Sequence, residues 1–359
     1  MDLIDIVSLR LNNQWLHQSP ALDITEIVSR MGAFQAQDFA MSKWALGIRK
    51  PGAFESEIEA AFNSGSIVRT HVMRPTWHTV AASDIYWMLD LSAKRIKSSA
   101  KGRLKELELT PEVLSHSYSI LEKTLAGNKH HTREELVSLF EQNNIANYDN
   151  RMSHILILAE QDGLICSGKI KNGKNTYALL EEWVPQKNNI SREEALEKLA
   201  RKYFSSHGPA TLTDFQWWSG LSLSEVRKAL NLIQHDFQSA TIGLETYWFS
   251  NSIRLSVPEN PIHLLPAFDE CIISYKDRTA TLTVDHHKKA VTRNGIFHPV
   301  ILHNGKAVGI WKRTVKKQTV AIDIHPFDSF TPSLTEPLEN KIQEFGVFLN
   351  KEPHIHYHS

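Results

Sequence analysis

The chain has 359 residues and an ordinary globular composition, with 42% hydrophobic residues, 22% charged residues and a formal net charge of +0. This length predicts roughly two to four compact domains, and the composition excludes intrinsically disordered and membrane-embedded proteins. The neutral charge gives no overall signal for nucleic-acid binding. The presence of only two cysteines, together with the lack of a signal-peptide pattern, predicts a cytoplasmic protein.

The N-terminal region predicts two helices and then an unusual pair of glutamines. Apolar residues at helical spacing predict helices around residues 3–11 and 24–31. In the stretch "FQAQD" that follows, Gln35 and Gln37 project to one side only if the backbone between them is extended. Asp38 is a favoured N-cap for the apolar helix that comes next. The glutamine pair is therefore expected at the entrance to a helix.

A pattern of helices followed by a β-hairpin occurs three times along the chain. In the first instance, "SIVRTHVMRPTWHTVAA" alternates and is interrupted by Pro75, which predicts two strands. Helices followed by such a hairpin are typical of winged-helix modules. Thr132 with Glu135 as a capping box and Asn172-Gly173 as a hairpin signal mark the second instance. The third has capping boxes at Ser191 with Glu194 and at Ser222 with Glu225, followed by the alternating stretch "QSATIGLETYWFS" as its hairpin.

Beyond residue 258 the sequence changes to short strand-like runs, with Asn304-Gly305 as a hairpin signal, a closing helix and a loose tail. The expected fold class is therefore α+β, with three tandem winged-helix motifs and a small C-terminal β unit. The predicted domains are 1–105 with the glutamine pair, 106–187, 188–257, and 258–359 with the closing helix and tail.

The common signatures of cofactor and nucleophile sites are absent. The chain has no Gly-rich nucleotide loop and no HExxH, GxSxG or CxxC motif, so we predict no cofactor. The histidines at 286 and 287 and in the tail suggest a metal site only weakly, and Lys288 and Lys289 beside the first pair argue against one. Two basic clusters are candidates for contacts with phosphate groups. The alternative for either cluster alone is an ordinary solvent-exposed charged surface. They are Lys94, Arg95, Lys97, Lys101, Arg103 and Lys105, and Lys312, Arg313, Lys316 and Lys317.

Four short segments, in order, resemble the AlkZ-like winged-helix DNA glycosylases, a family that includes a YcaQ branch. They are "FQAQD", "VMRPTWHTV", "LLPAFDECIISYKDR" and "VILHNGKAVGIWKR". YcaQ-like members carry Asp where this chain has Gln37, so the sequence is more similar to the AlkZ side. The resemblance implies three winged-helix motifs and a β unit in a C-shape around duplex DNA. It also implies hydrolysis of the N-glycosidic bond of alkylated bases, including crosslinks through purine N7, with Gln35 and Gln37 as catalytic residues.

Glutamines impose a restriction on this chemistry. An amide does not titrate near neutral pH, so it can only donate and accept hydrogen bonds and present a carbonyl dipole. A purine alkylated at N7 or N3 already carries a positive charge and leaves without being protonated, whereas a neutral base needs a proton. We therefore expect a monofunctional glycosylase that acts on cationic N7- or N3-alkylpurines in double-stranded DNA, as a monomer and without a cofactor.

The sequence leaves several points open. Chemistry and proximity to the motif suggest DNA contacts by Lys43, Arg49, Arg69, Arg74 and His78. The sequence does not decide which glutamine positions the water. The competing class is a non-catalytic winged-helix DNA-binding protein such as a transcription regulator. General repair and self-resistance against one crosslinking compound also remain alternatives.

Overall fold

The computed structural model describes residues 3–17, 20–250, 259–330 and 332–358. The chain divides into two compact units, one made of Met1–Ile58 with Glu197–Ser359 and the other of Glu59–Leu196. The chain thus leaves the first unit and later returns to it. The predicted boundaries at 105 and 187 concern smaller modules and stay predictions, and the boundary at 257 lies outside the described residues.

The N-terminal part of the first unit carries the glutamine pair between helices. Its elements are α1 (Leu3–Asn13), α2 (Ile24–Met31), β1 (Phe34–Gln35), α3 (Phe39–Gly47) and α4 (Glu55–Asn63), the last of which runs across the boundary. Helix α2 begins with a capping box between Asp23 and Glu26 and ends at Gly32, whose φ of 82° favours glycine. The non-helical backbone predicted for the glutamine pair is confirmed.

The second unit contains the first two predicted hairpins. Its elements are β2 (Ile67–His71), β3 (Trp77–Ala81), a short 3₁₀ turn (Ala82–Asp84), α5 (Ile85–Glu106), α6 (Pro111–Leu125), β4 (His131–Thr132), α7 (Arg133–Gln142), α8 (Arg151–Gln161), β5 (Ile165–Ser167), β6 (Thr176–Leu179) and α9 (Leu180–Trp183). The antiparallel pairs β2–β3 and β5–β6 confirm both hairpins. Within this unit, the wholly buried carboxylate of Glu160 accepts the backbone N–H of His71 at 2.8 Å.

The remaining chain returns to the first unit through helices and then forms a larger sheet. Its elements are α10 (Arg192–His207), α11 (Leu212–Ser219), α12 (Leu223–Ile233), a 3₁₀ turn (Gln234–Asp236), β7 (Phe237–Ile242), β8 (Glu245–Ser250), β9 (Ile262–Leu265), α13 (Glu270–Ile273), α14 (Val284–Ala290), β10 (Val300–His303), β11 (Lys306–Val315), β12 (Thr319–Pro326), α15 (Pro332–Leu349) and β13 (Glu352–Tyr357). The third predicted hairpin is confirmed as the antiparallel pair β7–β8. The predicted turn at Asn304-Gly305 is confirmed by the β10–β11 pair and by positive φ angles at both residues.

A five-stranded sheet organises the C-terminal half of the first unit, in the order β13-β12-β11-β10-β9. Along β12, Val320, Ile322 and Ile324 are buried and alternate with less buried residues. Helix α15 packs through Phe345 against Trp311 of β11, with ring centroids 5.1 Å apart, and against Trp44 of α3 at 5.0 Å. The sheet, α15 and α3 therefore share one core.

The C-terminal tail is ordered, and the prediction of a loose tail is wrong. Strand β13 pairs in parallel with β12, with Asp323 opposite His356, and the backbone N–H of His358 donates to the carbonyl oxygen of Ile324 at 2.9 Å. The half-buried Pro353 and Ile355 alternate with exposed residues as in an edge strand. The strand contains a proline and two histidines, so its local signal is weak, and a parallel partner reached through α15 is not visible in a local pattern. None of the helices that the structure describes combines the length and the hydrophobicity of a membrane-spanning segment.

Candidate active site around the glutamine pair

The glutamine pair occupies the turn between β1 and α3. Gln35 ends the short strand, and Asp38 caps the helix by accepting the backbone N–H of Met41 at 3.0 Å. The predicted N-cap is thus confirmed. Two residues of turn separate the strand from the cap, so the glutamine backbone is fixed on both sides. Such a turn holds polar side chains in a defined direction at a helix entrance.

The two glutamines have different surroundings. Gln35 is 5% exposed, and its backbone N–H donates to Oε1 of Glu270 at 2.5 Å. Its own side-chain oxygen accepts the backbone N–H of Gln37 at 3.0 Å. The side chain of Gln37 is exposed. Gln35 therefore shapes the turn, while Gln37 offers an amide to a molecule that arrives from solvent.

Glu270 is the carboxylate beneath the pair, and it is wholly buried at the start of α13. Its Oε2 accepts Nε1–H of Trp218 at 3.2 Å and the hydroxyl of Ser274. Burial by itself raises the pKa of this carboxyl, but the neighbouring His207 and the hydrogen bonds from Ser274 and Gln35 outweigh burial and lower the pKa to about 2. Glu270 is therefore ionised at neutral pH.

His207 and aromatic rings enclose this carboxylate. Nε2 of His207 lies 3.6 Å from Oε2 of Glu270, and its ring stacks on Tyr203 with centroids 4.9 Å apart. Burial lowers the pKa of His207, which favours the neutral imidazole at physiological pH. Trp218 lies beside both rings. The charge of Glu270 thus lies in a buried, largely aromatic environment.

The two DNA contacts predicted on the helix after the motif are buried in the structure; Lys43 lies on α3, whereas Arg49 lies beyond the end of that helix at Gly47. Arg49 is 0% exposed and forms a two-pronged pair with Asp269, at 2.8 and 3.0 Å. Lys43 is 5% exposed, and its Nζ lies 2.6 Å from a carboxylate oxygen of Glu55. Because α3 is covered on nearly all sides, neither cation presents a surface to a phosphate, and sequence proximity to the motif could not show this. Both residues hold the helix in place.

The other three predicted DNA contacts lie in the second unit. The guanidinium of Arg69 is buried over the ring of Trp77, 4.0 Å from its centroid. His78 is also buried, and its Nδ1 lies 2.9 Å from the carbonyl oxygen of Thr76. Arg74, in the loop between β2 and β3, is partly exposed. Of these three, Arg74 has the surface that a phosphate contact needs.

A basic hairpin adjoins the glutamine turn within the first unit. Nη2 of Arg313, on β11, lies 3.8 Å from Oδ1 of Asp38. Lys312, Lys316 and Lys317 on the same hairpin are exposed. The sequence showed this cluster as a possible phosphate contact, and the structure brings it beside the motif.

Sequence reasoning missed the residues that support the motif. Asp269 and Glu270 lie in "FDEC", inside a segment quoted only for its resemblance, and His207 and Trp218 carried no signal of their own. The sequence signal that could have identified them is the pair of adjacent acids within an apolar run. Acids are rarely buried without a specific partner, so this pattern indicates paired, buried carboxylates. The partners that connect these acids to the motif, Arg49 and Gln35, lie more than 200 residues away in sequence.

The arrangement suits stabilisation of a developing cation by fixed dipoles. The exposed amide of Gln37 can hold a water molecule or face a cation with its carbonyl oxygen, and the turn fixes the backbone that carries this amide. Within the described residues, no group of three or more His, Cys, Asp or Glu side chains is placed to hold a metal ion.

Comparisons with known proteins give matches to a family model, to a relative and to a solved structure. The family model described as "DNA glycosylase AlkZ-like" matches residues 28–348. The interstrand DNA cross-link repair glycosylase of Streptomyces sahachiroi is 22% identical over 331 residues, which cover 86% of each chain. The solved structure of Streptomyces sahachiroi DNA glycosylase AlkZ aligns with all of this chain and with 100% of its own, with a TM-score of 0.79 and 19% identity. The structural match shows that the two chains share a fold.

Proposed function

The chain belongs to the AlkZ-like DNA glycosylase family, and we propose that its substrates are purines made cationic by alkylation at N7 or N3. The observation that carries this proposal is the amide pair itself. Gln37 is exposed and Gln35 is buried beside it, and neither can protonate a leaving group. A base that already carries positive charge does not need that proton.

The proposed reaction breaks the bond between C1′ of the sugar and N9 of the purine. The bonding electrons move to the base, which leaves as a neutral molecule, and the sugar becomes an oxocarbenium-like cation. A water molecule attacks C1′ and releases a proton to solvent. We assign Gln37 to the water and the developing cation, and Gln35 to fixing the turn and adding its carbonyl dipole.

We further propose double-stranded DNA as the bound partner, including DNA joined by an interstrand crosslink through purine N7. The relative from Streptomyces sahachiroi is named for cross-link repair, and the turn here leaves Gln37 exposed rather than enclosed. An exposed amide can reach a base that a second strand prevents from being fully extruded. Exposed lysines on the neighbouring hairpin supply positive charge for the DNA backbone.

We also propose that the helix and hairpin pattern forms three winged-helix modules and that a single chain is the active form. A non-catalytic DNA-binding protein is disfavoured, because the matching family and the Streptomyces sahachiroi relative are both described as glycosylases. A regulator would bind one operator tightly without releasing any base.

The test is base release from three defined duplexes, containing 7-methylguanine, uracil or hypoxanthine. We expect release of 7-methylguanine and none of the two neutral bases, with the Gln37→Ala variant as the inactive control. A fourth duplex with an N7-linked crosslink should be unhooked by the wild type. Efficient excision of uracil would contradict the proposed restriction to cationic bases.

A further inference from the structure

We propose that Glu270 is a positioning residue for base release, which fixes the backbone of Gln35 and places a buried negative charge beneath the glutamine pair. This inference rests on the proposed function. It assigns to the reaction a carboxylate that lies far from the glutamine motif in sequence. The assignment is based on the hydrogen bonds of Glu270 and on the lack, among the described residues, of a Lys or Arg that forms an ion pair with it.

The contacts connect Glu270 to the motif through one atom. Its Oε1 accepts the backbone N–H of Gln35 at 2.5 Å, and the side-chain oxygen of Gln35 in turn accepts the backbone N–H of Gln37. The other oxygen, Oε2, is held by Trp218 and Ser274. A displacement of the carboxylate would therefore move Gln35 and, through Gln35, the turn that carries Gln37.

The ionisable group nearest to the charge of Glu270 is His207, whose Nε2 lies 3.6 Å from Oε2 and whose lowered pKa favours the neutral ring. The adjacent carboxylate, Asp269, is neutralised by the guanidinium of Arg49, whereas the described residues include no Lys or Arg that forms an ion pair with Glu270. Its donors are a backbone amide, an indole and a hydroxyl. A buried carboxylate without a cation destabilises the fold, and ionised groups in such surroundings are concentrated at functional sites.

The negative charge of Glu270 can stabilise the positive charge that develops during the reaction. During bond cleavage, positive charge moves from the purine to the sugar ring, next to the glutamines that contact it. A fixed negative charge beneath those glutamines favours that movement, and it acts strongly because burial limits screening by water. The amide pair then need not carry a charge of its own.

The test compares two buried carboxylates by the same chemical change. Glu270→Gln removes the charge with little change in shape, and Glu160→Gln does the same at a wholly buried carboxylate in the second unit that is bonded to His71 instead. Single-turnover release of 7-methylguanine, duplex affinity and urea unfolding are measured for each. We expect Glu270→Gln to release base about 100-fold more slowly, with duplex affinity within about twofold of wild type. Glu160→Gln should release base at the wild-type rate.

A milder variant keeps the inference testable if Glu270→Gln fails to fold. Ser274→Ala removes one hydroxyl that holds Oε2 and leaves the charge in place. We expect a loss of about fivefold in the release rate, since the carboxylate is less firmly held. An unchanged rate in Ser274→Ala, a wild-type rate in Glu270→Gln, or equal losses in both Glu→Gln variants would overturn the inference alone. If the wild type releases no 7-methylguanine, the proposed function falls and this inference falls with it.

Discussion

The side-chain oxygen of Gln35 accepts a hydrogen bond from the backbone N–H of Gln37 at 3.0 Å. The two amides of the motif are therefore not equivalent. One is buried and occupied in shaping the turn, and the other is exposed. Because of this asymmetry, we expect replacement of Gln37 to affect turnover alone and replacement of Gln35 to affect both turnover and stability.

Replacement of Gln37 should affect turnover without affecting stability. Gln37→Ala removes an exposed amide, so the free energy of unfolding should change by less than about 0.5 kcal/mol. Loss of a dipole that acts on the developing charge should slow release of 7-methylguanine by about 100-fold or more. Single-turnover release and urea unfolding measure the two quantities, and binding of the alkylated duplex should persist. Wild-type release by this variant would remove Gln37 from the mechanism.

Replacement of Gln35 should affect both quantities. Gln35→Ala removes the acceptor of the Gln37 N–H and leaves a space in a buried position. The loss of a buried hydrogen bond predicts a decrease of about 1 to 2 kcal/mol in the free energy of unfolding, in addition to slower base release. The measurement is urea unfolding beside Gln37→Ala. Equal stability in the two variants would contradict the asymmetry.

Local features of this fold could be predicted from the sequence because their causes are local. The N-cap at Asp38 and the hairpin at Asn304-Gly305 depend on residues within one turn. Pairs such as Gln35 with Glu270 depend on the path of the chain over more than 200 residues, which no local pattern encodes. The burial of Arg49 was missed for the same reason, since proximity to the motif does not tell which side chains in and after α3 are covered.

Arg49 is expected to act on stability. Its guanidinium pairs with Asp269 at two points and also donates from Nε to the backbone oxygen of Gln14 at 3.0 Å. Arg49→Ala leaves a buried carboxylate without its cation and should cost about 3 to 5 kcal/mol in the free energy of unfolding. A double-mutant cycle with Asp269→Asn should show that the two losses are not additive. A stable Arg49→Ala variant that only loses DNA affinity would instead support the predicted DNA contact.

The basic hairpin should contribute to DNA affinity without contributing to chemistry. Lys316 and Lys317 are exposed on the hairpin whose Arg313 lies beside Asp38. If each lysine contacts one phosphate, the variant Lys316→Ala with Lys317→Ala should reduce the slope of log affinity against log salt by about 1.8. Fluorescence anisotropy across a salt series measures this slope. The matched change Lys123→Ala, at an exposed lysine on α6 of the second unit, should leave the slope unchanged.

The stability of the first unit should decrease on mild acidification because of a half-buried histidine pair. Nδ1 of His17 lies 3.2 Å from Nε2 of His263 in a cavity of about 530 Å³, which Trp44 and Phe348 also line. Burial lowers the pKa of His17 to about 4 and that of His263 to about 3, from 6.5 for each. Both rings are therefore neutral in the folded protein at pH 7.

Acidification lowers the stability because the pKa values of His17 and His263 are lower in the folded protein than in the unfolded chain. Above pH 6.5 both histidines are neutral in the folded and in the unfolded protein, so their contribution to the free energy of unfolding is complete. As the pH falls below 6.5, the histidines of the unfolded chain are protonated first, and the contribution is lost progressively towards about pH 3. Each histidine then lowers the free energy of unfolding by up to about 1.4 kcal/mol per pH unit. His263→Gln, which cannot titrate, should reduce this slope in urea unfolding between pH 6.5 and 4.5, whereas His116→Gln at an exposed position should not. An unchanged slope in His263→Gln would show that the pair takes up protons equally in both states.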